Sequence, residues 1–181
     1  MPTVIVPFRR EHAKLRLRPL SEEARSALAA AMLADVLAAA DAVGRATILA
    51  LEANQGEAVE RALRRIDSGP ILVVNADLPC AEPRDLLALL GALPDGGMAL
   101  VEARDGTTNA LALAAPHLFA PLYGAGSAQR FRARAERLGA PVVTAAIPNL
   151  VDDVDTLDDL ERLEGRLGPH TLAELGAVLV R

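Results

Sequence analysis

Cysteine is nearly missing from this 181-residue chain, in which Cys80 stands alone. A single thiol excludes an intrachain disulfide and a cysteine-based zinc site. Aromatic residues make up only 2% of the sequence, and tryptophan is absent. With a net charge of −5 and no long basic run, the chain lacks the stacking platforms and cationic tracts of a nucleic-acid surface. No uninterrupted apolar run reaches the roughly 18 to 20 residues of a membrane span. The nearest, "ALAAAMLADVLAAA", carries Asp35 and reads as a buried helix. The start, "MPTVIVPF", enters a strand-like run without a basic region or cleavage site, so a cytoplasmic protein without a secretory signal is expected. Lysine is just as scarce: of 19 cations, only Lys14 is not arginine. Where arginine serves everywhere else, one compact ammonium marks a position of interest.

What the chain does have is alternation. Strand-length apolar runs at 3–8, 46–53, 70–76, 98–103, 109–114 and 141–147 are interleaved with amphipathic segments. The helical segments cover 21–40, 57–66, 83–93, 127–139, 156–167 and 171–179. Ser21 suits an N-cap with two acids behind it, Pro83 a first helical turn, and Gly139 a helix end. The Asp-Gly pair in "RDGTT" marks a turn between two strands. This pattern predicts one α/β domain, a three-layer sandwich around a mostly parallel, twisted sheet. Ligands of such sheets sit outside the carboxyl ends of the strands, so the chemistry should follow residues 7, 76, 107 and 148. The alanine-rich helix at 21–40 leaves burial within the domain and burial in a homodimer interface both open.

Those four places hold the chain's oddest residues. "ILVVNADLPC" runs from a buried strand to Pro79, which cannot continue a hydrogen-bond ladder and leaves Asp77 at the strand mouth. A carboxylate there suits Mg²⁺, or the cap of a turn. "NLVDDVDTLDDLERL" packs five aspartates into eight positions. Thr156 with Asp159 resembles a capping box, and Asp158 and Asp159 fit a first helical turn. Asp152, Asp153 and Asp155 precede that cap, and in extended backbone Asp153 and Asp155 point to one side, as a cation site requires. "YGAGSAQRF" sets a glycine turn before a helix with Ser127 at the expected N-cap, the form of an anion site or of an ordinary capped helix. Arg130, Arg134 and Arg137 share a helical face and read as a solvated stripe. His12, His117 and His170 have no ligand-like spacing. After the first strand come Arg9, Arg10, Lys14, Arg16 and Arg18, a basic loop suited to a polyphosphate or to water.

In this order, "VIVPF…AK.R…PLS…R", "NADLP", "DGTTNAL", "YGAGS" and "DDVDTLDDL" resemble the guanylyltransferases that build the deazaflavin coenzyme F-420. These are the 2-phospho-L-lactate and phosphoenolpyruvate guanylyltransferases, relatives of the sugar-nucleotide and molybdopterin nucleotidyltransferases. The resemblance spans residues 3 to about 163 and implies a Rossmann-like nucleotidyltransferase fold of the glycosyltransferase-A type. It implies transfer of GMP from GTP to the phosphate of a three-carbon acid. Asp77, Asp153 and Asp155 match the family's Mg²⁺ ligands. Thr108, Gly124 and Ser127 match positions that hold the phosphorylated acid. Lys14 and Arg16 fall where the family presents cations to GTP, and with Asp77 they form the implied catalytic set. The chain departs from the pattern at 43–59, where "EANQGEAVERAL" replaces a longer region with a "GLNAA"-like loop. It departs again at "NADLP", where "PADLP" is usual. Two other readings stay open: a molybdopterin-type nucleotidyltransferase, which shares the acidic motifs, and a non-catalytic binding protein that keeps the fold and has lost nucleotide handling through the shortened region.

Overall fold

The chain's most apolar short runs become the middle of one sheet. A computed structural model describes residues 1–8, 17, 19–51 and 54–179; Arg9, Arg10, Lys14, Arg16 and Arg18 lie outside them. In chain order the elements are β1 (Thr3–Phe8), α1 (Glu22–Val43), β2 (Ala46–Leu51), α2 (Gln55–Leu63), β3 (Ile71–Val74) and α3 (Pro83–Gly91). There follow β4 (Met98–Glu102), β5 (Thr108–Leu113), α4 (Ser127–Arg137), β6 (Val142–Thr144), α5 (Pro148–Val151), α6 (Leu157–Leu163) and α7 (Pro169–Leu179). The strands form a six-stranded sheet in the order β2-β1-β3-β5-β4-β6. The pairings of β1 with β2, β1 with β3 and β4 with β6 are parallel, whereas β5 runs against both its neighbours.

Period-two alternation builds the layers. Val4, Val6, Leu72 and Val74 face one way and pack on Leu33 and Val36 of α1 and Leu86 and Leu89 of α3. Ile5, Val73, Leu100 and Leu111 face the other way, onto Val59 of α2 and Phe131 of α4. Because β5 is reversed, its first residue, Thr108, lies at the edge where β1, β3 and β4 end. The expected mostly parallel three-layer α/β sandwich is present, with this one reversal.

α1 begins as its residues dictate: the Ser21 hydroxyl accepts the Ala24 N–H at 3.1 Å, with Glu22 and Glu23 in the first turn. Its 22 residues are long and apolar enough, by length and composition alone, to cross a membrane, which a count of uninterrupted apolar residues had missed. In the fold this helix packs against the sheet, α3 and α7 and buries Asp35. That carboxylate accepts hydrogen bonds from His170 N (3.0 Å), Thr171 N (2.9 Å) and Thr171 Oγ1 (2.6 Å), so it caps α7 from a neighbouring helix. Gly168 makes room for it, since a Cβ there would lie 2.3 Å from the Asp35 carboxyl carbon. Gly168→Ala should therefore cost about 1–2 kcal/mol of stability, read as a lowered chemical-denaturation midpoint at unchanged slope.

Several ends differ from expectation: β3 covers only Ile71–Val74 of the expected 70–76, α2 runs Gln55–Leu63 instead of 57–66, and α1 continues to Val43. The late strand covers only Val142–Thr144, and Pro148 then opens the single turn of α5. Helix 156–167 stops at Leu163 and tightens into a 3₁₀ turn over Glu164–Arg166.

Candidate functional site

β3 ends where its sequence stops being apolar. Asn75 N still donates to Asn109 O at 3.0 Å, but beyond it the chain turns, with Ala81 N donating to Leu78 O. Asp77 lies in this turn, and its main-chain carbonyl accepts Val154 N–H at 3.0 Å. That bond brings the second acidic segment to the mouth of β3. Between α5 and α6 the backbone is extended, and burial alternates: Asp152 and Val154 are buried, Asp153 and Asp155 half-buried. Val154 anchors the strip in the core beside Leu160 and Leu163. Asp153 and Asp155 therefore share a side and meet Asp77, one carboxylate oxygen of each lying within 4.8 Å of the others. The same-side expectation is met, although α5, not a strand end, leads into it. Three hard oxygen donors this close form a set that could hold a small divalent cation.

The electrostatics show the strain of the cluster. Burial, and then the charges of Asp77 and Asp155, push the Asp153 carboxyl up to about 6, against a hydrogen bond from Asn109. Asn109 is a residue that sequence reasoning overlooked. Its amide nitrogen donates to Val151 O at 3.0 Å and to Asp153 Oδ1 at 3.4 Å. The β4–β5 register slips between Val101 and Glu102, opposite this point. A bulge re-aims side chains, and here the adjacent Thr108 and Asn109 reach separate partners. Asn109→Leu should loosen the 151–155 strip and weaken divalent-cation affinity about 10–100-fold, measured by titration calorimetry.

The other aspartates of the cluster have different tasks. Asp152 is 4% exposed and receives Arg104 Nε at 2.7 Å, Arg162 NH1 at 3.0 Å and Arg166 NH2 at 2.7 Å. Asp159 accepts from Thr156 N at 2.9 Å while Thr156 Oγ1 accepts Asp159 N–H, the expected capping box. Asp158 is exposed in the first turn of α6. One stretch thus supplies a candidate cation site, an arginine hub and a helix start.

Ser127 departs from expectation. Gly126 is the N-cap of α4, in left-handed backbone (φ 70), and Ser127 is the first helical residue. The Ser127 hydroxyl, fully buried, donates to Thr108 Oγ1 at 3.1 Å. Its N–H bonds Gly124 O, and Ala128 N–H bonds Gly106 O, so two of the N–H groups expected to be free are engaged within the chain. Gly124, at φ 105, is exposed at the turn. Arg130 and Arg134 are not a solvated stripe. Arg130 donates to the carbonyls of Leu122, Tyr123 and Ala125, and Arg134 to those of His117 and Leu118, which fixes the loop ahead of α4.

Comparison with models of known protein families gives no match. Individual proteins do match. The phosphoenolpyruvate guanylyltransferase of Geodermatophilus obscurus is 34% identical over 205 residues, covering 96% of this chain and 94% of the relative. That of Sphaerobacter thermophilus is 33% identical, covering 89% and 91%. The 2-phospho-L-lactate guanylyltransferase of Methanosphaerula palustris is 32% identical, covering 88% and 82%. Among solved structures, the 2-C-methyl-D-erythritol 4-phosphate cytidylyltransferase of Thermus thermophilus aligns with a TM-score of 0.59 at 15% identity, covering 90% of this chain and 96% of that one. A nucleotidyl transferase from Methanothermobacter aligns with a TM-score of 0.59 at 17% identity, covering 96% and 98%. Fold and sequence agree: the chain belongs to the phosphoenolpyruvate and 2-phospho-L-lactate guanylyltransferase family, on the nucleotidyltransferase fold.

Proposed function

We propose that this chain transfers GMP from GTP to the phosphate of phosphoenolpyruvate or 2-phospho-L-lactate, releasing pyrophosphate, as a step in coenzyme F-420 biosynthesis. The observation that carries the reading is the meeting of Asp77 with Asp153 and Asp155 at the carboxyl edge of the sheet. Three carboxylate oxygens, with no nitrogen or sulfur donor in the cluster among the described residues, suit Mg²⁺. Bound there, the ion would supply Lewis-acid stabilisation of charge on the transferring phosphoryl group. The three aspartates would hold it. Asn109 would keep Asp153 aimed, and Thr108, one residue before Asn109, with Gly124 and Ser127 would line the place of the phosphorylated acid. Lys14 and Arg16, outside the described residues, would offset the charge of GTP.

Two polyanions must approach for this reaction, so the chain's task is positioning and charge compensation. A phosphate monoester has its second pKa near about 6 and is already an anionic nucleophile at neutral pH. It attacks the α-phosphorus of GTP and pyrophosphate leaves. No general base is required, and among the described residues gathered at this edge none is a histidine. Purified protein with GTP, Mg²⁺ and phosphoenolpyruvate or 2-phospho-L-lactate should release pyrophosphate. Silence with every three-carbon phospho-acid, while molybdopterin is turned over or GTP fails to bind, rejects the reading.

A further inference from the structure

Two of the places where the sequence leaves the family's usual motifs, "EANQGEAVERAL" and "NADLP", touch each other. Asn54 caps α2, accepting the N–H groups of Gly56 and Glu57, and this fixes where Gln55 starts. Gln55 Nε2 donates to Asn75 Oδ1 at 2.6 Å, and Asn75 Nδ2 donates to Thr108 O at 3.2 Å. The last acceptor decides the polarity of the whole chain of bonds. A main-chain carbonyl can only accept, so the Asn75 atom facing Thr108 is nitrogen and the one facing Gln55 is oxygen. The Gln55 atom facing Asn75 is then nitrogen, which leaves Gln55 Oε1 on the other side of the carboxamide as the acceptor this bond does not use.

The position of this pair is equally informative. β1 lies between β2 and β3, with α1 covering one face of the sheet and α2 the other. The crevice at such a reversal of strand order is where open α/β sheets take their ligands. Gln55 opens the helix that follows β2 and Asn75 follows the end of β3, so their bond ties together the segments that leave the two strands flanking β1. Asn75 precedes Asp77 by two residues, no more than about 7 Å along the chain. A nucleotide with its phosphates at the acidic cluster would have its base within reach of Gln55.

We infer that Gln55, with its carboxamide pinned by Asn75, reads the base of the nucleotide and selects guanine over adenine. The inference rests on the guanylyl-transfer reading and adds to it the residue that sets base choice. On its pairing edge guanine offers an acceptor and then two N–H donors, whereas adenine offers a donor and then an acceptor. A carboxamide free to turn over pairs with either base. One whose oxygen is held on the side away from Asn75 meets a donor in guanine where adenine presents a lone pair, and two facing acceptors repel.

The test is binding of α,β-methylene analogues of GTP and ATP, with Mg²⁺, by titration calorimetry on wild type, Gln55→Leu and Asn75→Leu. Thermal unfolding confirms that each variant is folded. Gln55→Leu should weaken the GTP analogue and lower the ATP-to-GTP ratio of dissociation constants about tenfold, one hydrogen bond's worth. Asn75→Leu should lower the same ratio chiefly by strengthening the ATP analogue, since the released carboxamide can turn over. Loss of a merely structural contact would weaken both analogues alike and leave the ratio unmoved. A ratio unchanged in both variants overturns the role given to Gln55 and leaves guanylyl transfer standing. Wild type that binds neither analogue overturns both.

Discussion

Asp77→Asn should lower kcat for guanylyl transfer at least about a thousandfold, several kcal/mol of lost transition-state stabilisation, while leaving the fold intact. The fold should survive because Asp77 holds Val154 through its main-chain carbonyl, which the substitution keeps. Its carboxylate lies among like charges, and its field helps push Asp153 up to about 6. Removing that charge relieves the repulsion on Asp153. Wild type should gain stability on adding Mg²⁺, since an ion bound only by the folded state stabilises it, and the variant should gain little. Pyrophosphate release and thermal unfolding with and without Mg²⁺ measure both. A variant that turns over normally would remove Asp77 from the chemistry.

How much of this was legible in the sequence depends on how local each cause is. Asp77 could be found because Pro79, two residues away, bars a strand from continuing past it, although β3 itself already ends at Val74. Asp153 and Asp155 could be found because a period of two is a property of extended backbone, whatever precedes it. The β4–β5 hairpin is written in "DGTT", where Gly106 takes a positive φ. That β5 inserts between β3 and β4 is not written there, because strand order is settled by packing across the whole sheet. Asn109 was missed for a similar reason. The slip opposite it arises from pairing with Glu102 and Val101, and nothing in "TNAL" announces a bulge. The helix cap expected of Ser127 falls to Gly126, because Thr108, 19 positions upstream, draws the Ser127 hydroxyl inward. The Gln55–Asn75 bond joins residues 20 apart in segments that each looked merely divergent.

Asp152 is the clearest case of a cause spread through the chain, and its removal should bring the largest loss of stability. Arg104, Arg162 and Arg166 come from the turn after β4, from α6 and from the turn after it, and all three converge on one buried carboxylate. Arg166 NH1 also reaches Asn149 Oδ1, and Asn149 Nδ2 donates to Asp85, so the hub extends to the start of α3. Asp152→Ala would leave three guanidinium groups facing one another. Because they are 40 to 70% exposed and keep some of their water, the cost should fall at the low end for breaking a buried pair, about 3 kcal/mol. For a chain of this length that lowers Tm by roughly 6–12 °C. Burial alone would raise the Asp152 carboxyl, but hydrogen bonds from Arg104, Arg166 and Arg162 outweigh it and hold the group at about 2, against an ordinary 3.8. The folded state therefore binds fewer protons than the unfolded chain between those values, and the stabilisation is complete above about pH 5 and lost as pH falls towards 2. The protonation-linked part is worth about 2 kcal/mol. The gap in stability between wild type and Asp152→Ala, followed by urea denaturation from pH 6 downwards, should narrow by that amount. A gap that stays constant to pH 2.5 would mean the arginines stabilise the strip through packing of their stems, and that the charge of Asp152 contributes nothing.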